Sequence, residues 1–264
     1  GLRDESAKDE KGSQQFNCPN CGAPVTVTLA SSKSITCPAC KSLIDLSQGV
    51  GAALKSALQD APVSLLIALG SVGQLQGASW QVVGFQHRKG HEPDDEDEGF
   101  EWDEYLLYNR KLGFSFLVDS EDGWSLVKPV TGAPVYKKGS NSATYLATTY
   151  PLLSSYAAET TYVAGEFYWR VERGQKTFNR DFAKGASLLS MEQTPTEVTW
   201  SSGSKLSSDQ VAAAFKMEDR KDLLKRTDAS PLSNASGMGC GTVIFVLVVI
   251  VLFLALTRSC TSCD

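Results

Sequence analysis

Cys18-Pro-Asn-Cys21 and Cys37-Pro-Ala-Cys40 form two C-x2-C pairs, and the gap between them is that of a zinc ribbon. Four thiolates at this spacing predict one structural zinc ion with no coordination position left to activate water. Each C-P-x-C unit predicts a tight knuckle, with Gly22 in the left-handed conformation after the first pair and Lys41 at the matching place after the second. A disulfide-exchange role would need one such pair at a helix start, whereas these flank the β-prone stretch Ala23 to Thr36.

The elements that must hold these cysteines divide the chain. Residues 1–16 read as a charged, flexible tail and residues 17–46 as the ribbon. In residues 47–61, Val50, Leu54, Ala57, Leu58 and Ala61 fall on one helical face before Pro62, which predicts a connecting helix. Residues 65–226 carry short β-prone runs: Gln81 to Phe85, Tyr105 to Tyr108, Phe114 to Val118 and Trp124 to Val127 around Asp122-Gly123, Thr160 to Val163, Phe167 to Glu172, Lys176 to Phe178 and Glu197 to Trp200. The expected fold is mainly β, a sandwich or a partly open barrel. Ser207 and Gln210 make a capping box for a closing helix with Val211, Ala214 and Phe215 inward. After a linker at 227–238, the uncharged run of residues 239–257 is long enough to cross a bilayer as one helix, and 258–264 is a short tail. Arg220, Lys221, Lys225 and Arg226 before the span outnumber Arg258 after it, so the body is expected in the cytoplasm, with the bilayer as its first partner. Cys240, Cys260 and Cys263 are assigned no role.

The net charge of -5 disfavours the nucleic-acid binding that many zinc ribbons carry out. No nucleophile elbow, phosphate loop or dinucleotide fingerprint is present, so no catalytic residue is assigned. His87 and His91 beside the acidic run Asp94 to Glu98 read as a solvated loop rather than a metal site. Trp102, Glu104, Tyr105, Tyr168 and Arg170 combine aromatic area with charge and are the candidate binding residues. Alternation places Phe167, Trp169 and Val171 inward and Glu166, Tyr168, Arg170 and Glu172 toward water.

Gly70 to Gly77 leading into Trp80 to Gly84, Trp102-Asp-Glu-Tyr105, Gly123-Trp-Ser-Leu126, Val163-Ala-Gly-Glu-Phe-Tyr-Trp-Arg170 and Val211 to Phe215 resemble the bacterial family catalogued as domain of unknown function 4178. Several members look alike in placing a double C-P-x-C ribbon before the domain. The resemblance implies a bacterial protein whose genes often accompany small membrane proteins and polyamine-synthase-like enzymes, in systems suspected of handling membrane stress, and it assigns no activity; together with the predicted span, the expected location is a bacterial inner membrane. The expectation is an interaction or scaffold module that meets a protein partner at the cytoplasmic membrane face. The alternatives are an enzyme or small-ligand-binding domain with an aromatic and acidic cleft, and a nucleic-acid-binding ribbon.

Overall fold

The computed structural model describes residues 14–48, 56–57, 59, 63–92 and 95–227. Among them no helix is long and apolar enough to cross a membrane, and the span expected at 239–257 lies outside the described residues.

The ribbon begins with β1 (Gln14–Asn17) paired antiparallel to β2 (Pro24–Val27). Next come β3 (Ser34–Thr36) and β4 (Leu43–Asp45), also antiparallel. Val25, Val27, Ile35, Ile44 and Leu46 close over Cys18 and Cys37. A core of this size cannot hold a domain by burial alone, which is why a metal is expected to help. The connecting helix expected over 47–61 is corrected at Ser56–Ala57, which form β5, a two-residue strand on the edge of β4. An open sheet edge satisfies these backbone groups there, and the helical spacing of the alanines and leucines did not reveal it.

The larger unit is an eight-stranded antiparallel barrel, closed where a sandwich or partly open barrel was expected. Its strands are β7 (Ala78–Glu92), β8 (Asp95–Asn109), β9 (Gly113–Ser120), β10 (Gly123–Pro129), β13 (Thr148–Phe167), β14 (Lys176–Lys184), β15 (Ser187–Gln193) and β16 (Val198–Leu206). The spatial order is β7, β8, β9, β10, β16, β15, β14, β13 and back to β7. Closure rests on the 20 residues of β13, which hydrogen-bond β14 on one side and β7 on the other and so leave neither edge open. Gly165 permits this. A Cβ there would stand 2.2 Å from the Val83 carbonyl, and its φ of 87° lies in the left-handed region. β6 (Val72–Leu75) lies outside β7, and the small hairpin β11 (Val135–Tyr136) and β12 (Ser142–Tyr145) continues from the start of β13.

Two boundaries differ from the sequence reading. The segment of His87 and His91, read as a loop, is the upper part of the long β7–β8 hairpin, where cross-strand pairs His87–Asp103 and Lys89–Glu101 hold a ladder that hydrophobic alternation does not mark. The strand expected at Phe167 to Glu172 ends at Phe167, and the chain then turns across the end of the barrel. Asp122-Gly123 does close the β9–β10 hairpin, with Gly123 opposite Ser120.

One face of β7 to β10 is covered by α1 (Ser208–Phe215) and α2 (Lys221–Leu224), which bury Trp80, Phe85, Tyr105, Leu117 and Trp124. The capping box appears as expected: Ser207 Oγ accepts from Gln210 N, and Gln210 Oε1 accepts from Ser207 N. Trp124 Nε1 donates to Leu224 O at 2.8 Å, and Arg226 clamps Asp119 through two bonds of 2.6 Å. The described chain therefore leaves the barrel beside the β9–β10 turn.

Candidate metal centre and binding residues

The two knuckles are built alike. Gly22 N donates to Cys18 O and Cys18 N to Ala23 O; Lys41 N donates to Cys37 O and Cys37 N to Ser42 O. Gly22 takes φ 75°, and Lys41 takes φ 61° in the same place, so the second knuckle holds a side chain in the left-handed region where the first uses glycine. The four sulfurs all lie within 4.8 Å of one another. Cys18 Sγ to Cys40 Sγ and Cys21 Sγ to Cys37 Sγ are each 3.7 Å. Metal–sulfur bonds of about 2.3 Å in a tetrahedron give sulfur–sulfur edges of about 3.8 Å, so the donor set fits a metal ion of zinc's size and preference. The Ser42 hydroxyl, and after it the Asn20 amide 3.5 Å away, bring the Cys40 thiol down to about 5, while the Cys21 thiol, despite its bond with the Ala23 backbone, is pushed up to about 12 by the neighbouring sulfurs, so the four together share protons that a bound metal would displace.

The ribbon is fastened to the barrel. β3 pairs with the end of β13, Ile35 opposite Glu166 and Ser34 opposite Phe167. Glu166, expected in water, is only 7% exposed. Its carboxylate accepts from Thr28 N at 2.9 and 3.1 Å, Thr28 Oγ1 at 2.6 Å, Leu29 N at 3.0 Å and Ser32 Oγ at 2.8 Å, all from the turn between the two cysteine pairs. Thr36 Oγ1 accepts from Gly165 N, and Ser34 Oγ donates to Trp169 O and accepts from Val171 N. Strand alternation failed for Glu166 because the face it points to is covered by another module.

The five candidate binding residues do not converge. Trp102 and Glu104 meet, with Trp102 Nε1 donating to Glu104 Oε1 at 2.7 Å. Tyr105 is fully buried on the opposite face, its hydroxyl accepting from Leu66 N. Tyr168 lies toward the other end of the β8–β9 ladder and, instead of facing water, stacks on Phe114 with ring centroids 4.2 Å apart. Arg170 is exposed and pairs with Asp45 and Glu172. Glu166, Arg88 and Glu192 are the charged residues the sequence reading missed as a site. Glu166 does sit inside the Val163 to Arg170 motif, but Arg88 and Glu192 carry no local signal.

Fold and site together define a four-cysteine ribbon, its sulfurs placed so that they could hold a metal ion, docked on a closed antiparallel barrel with a short C-terminal helix. The family model described as domain of unknown function (DUF4178) matches residues 68–208, just over half of the chain, and the chain belongs to that family. No curated protein and no solved structure matches it.

Proposed function

We propose that this chain is a tethered interaction module whose zinc-loaded ribbon and barrel present one continuous surface to a protein partner at the cytoplasmic face of a bacterial inner membrane. The observation that carries this reading is the Glu166 latch: a flexibly linked ribbon would need no buried carboxylate, whereas a ribbon fixed in orientation makes a composite surface that neither unit has alone. Zinc is the ion the all-thiolate tetrahedron suits, and its part is to keep the knuckles folded. Residues 239–257 supply the tether in this reading, and Arg226 fixes its point of departure through Asp119.

The test is co-purification from detergent-solubilised native membranes with the full chain as bait. A specific protein captured by the wild type and lost with Glu166→Ala, while the barrel stays folded, supports the composite surface. Equal capture by both forms, or recovery of the full chain in the carbonate-soluble fraction, refutes it.

A further inference from the structure

The inside of the barrel is taken up by its own side chains. Arg88 on β7 reaches Glu192 on β15 across the concave side, and Phe167 and Trp169 pack with Leu106 and Phe116 to plug the ribbon end. Surfaces open to another molecule lie outside, and the sheet of β11, β12 and the start of β13 is one of them. Its register gives it two faces: Tyr136, Ala143 and Tyr150 share one, and Val135, Thr144 and Thr149 share the other. The first packs down on Phe182 and Trp200 of the barrel wall. The second continues along β13 as Thr149, Pro151 and Leu153, which are uncharged and exposed. Val135 on this face is 75% exposed, and Leu146, at the turn between β12 and β13, is 80% exposed.

That turn is built against its own backbone preference. Leu146 and Ala147 take φ 47° and 61°, the left-handed pair of a two-residue hairpin turn that glycine and asparagine ordinarily fill. The matching turn between β6 and β7, Gln76-Gly77 at φ 48° and 78°, uses glycine in its second place. Packing does not account for the leucine, since its side chain stands in solvent. A backbone that costs stability to hold an aliphatic group outside points to a use beyond the fold. The charge around the turn has one sign. Residues 123–158 contain no Asp or Glu, and their Lys128, Lys137 and Lys138 are exposed without an ion pair among the described residues. Arg180 adds a guanidinium 5.8 Å from the centre of the Tyr136 ring. Aliphatic side chains at a protruding turn, flanked by cations, match an anionic lipid surface: the carbons enter the headgroup layer and the ammonium groups meet the phosphates.

We propose that the sheet of β11, β12 and the start of β13 lies on an anionic lipid bilayer, with Leu146 and Val135 in the headgroup layer and Lys137 and Lys138 against lipid phosphates. For its proximity to the bilayer this rests on the tether of the preceding reading. Residues 228–238, between the described chain and the apolar run 239–257, reach at most about 40 Å, so the hairpin is held at a high effective concentration beside the surface and needs only weak affinity of its own. A second point of contact fixes how the body is oriented on the membrane, which one tether alone does not.

The experiment places the photo-crosslinker benzoylphenylalanine at Val135 in the full chain, reconstituted in phosphatidylcholine vesicles with or without an equal part of phosphatidylglycerol, and identifies adducts by mass spectrometry. The expected result is lipid adducts in the anionic vesicles, about ten-fold fewer in phosphatidylcholine alone, and only background from the same probe at Val72, which is 56% exposed on β6. Lys137→Gln together with Lys138→Gln should cut the adducts about ten-fold. Leu146→Asn with Ala147→Gly suits the turn better, so it should raise the melting temperature while cutting the adducts about ten-fold, opposite signs that a purely structural turn would not give. Carbonate extraction of the same vesicles reads the tether separately: a chain that is extracted yet labels lipid loses the span and keeps the hairpin contact. Absence of lipid adducts at Val135 overturns the proposal whether or not the chain stays embedded. Adducts joining two copies of the chain in place of lipid, equal yields from Val72, or indifference to the lysine pair would overturn it as well.

Discussion

Two buried charged groups, Glu166 and Arg88, sit on neighbouring strands of the same barrel and are handled in opposite ways. Glu166 faces outward and is 7% exposed, and the ribbon meets both its oxygens with two backbone amides and two hydroxyls. Arg88 faces inward, is 4% exposed, and its Nε has no hydrogen-bond partner among the described residues. A buried charge whose hydrogen bonds are complete fixes structure, because moving any donor strands the others. One that is incomplete holds its surroundings less firmly, because fewer neighbours depend on its position. The comparison separates a joint between two modules from the polar interior of the barrel, in a protein whose family description names neither.

The largest expected effect lies on the joint side. Cys37→Ser should release the metal, measured as a fall from one zinc per chain to none, and should unfold the ribbon, since structural zinc contributes on the order of 10 kcal/mol or more to small modules. The sequence reading treats the ribbon as separable by a helix. The β3–β13 pairing corrects this, so hydrogen exchange should also rise at Gly165 to Phe167. Metal retained at full stoichiometry without Cys37 would break the assignment.

Glu166→Ala is next. It leaves the Thr28 and Leu29 amides without their acceptor and should cost about 3 kcal/mol or more in thermal or denaturant unfolding. Its sharper signature is selective: amides of residues 28–32 should lose protection while the Trp124 and Phe85 region keeps its own. Uniform destabilisation would mean that Glu166 is an ordinary core residue and not a latch.

Tyr168→Ala sharpens the comparison at the plugged end. Strand alternation predicts a surface change with no effect on folding, whereas the stack on Phe114 predicts a loss of about 1–2 kcal/mol, read as a lower denaturant midpoint. An unchanged midpoint would restore the water-facing reading.

The smallest effect is a pH dependence at the hairpin that carries the acidic run. Hydrogen bonding from His87 Nδ1 to Asp103, 2.7 Å away, raises the imidazole above its usual range; Glu101 adds to this and Lys89 opposes it. A raised folded-state value means that the stabilisation is complete below the unfolded value of about 6.5 and is lost as pH climbs through the folded one. His87→Gln should therefore lower the melting temperature at pH about 5 more than at pH about 9, by less than about 1 kcal/mol for a partly exposed pair. A larger deficit at the alkaline end would contradict the geometry.

The residues that a local pattern can specify were determined by the sequence. Cysteine spacing dictates which four sulfurs meet, because each knuckle closes within five residues through its own backbone bonds. Ser207 and Gln210 set a helix start, and Asp122-Gly123 set a hairpin, for the same reason. The tertiary structure decided what depends on distant partners. Barrel closure came from β13 pairing with both β7 and β14, and the burial of Glu166 came from a turn more than a hundred residues earlier in the chain. Trp102 and Glu104 were within reach of a sequence reading because they are two residues apart on one face, but Arg88 and Glu192 were not. Period-two alternation tells which side of a strand a residue faces, whereas only the curvature of the closed sheet tells whether that side is solvent, a docked module or a lumen.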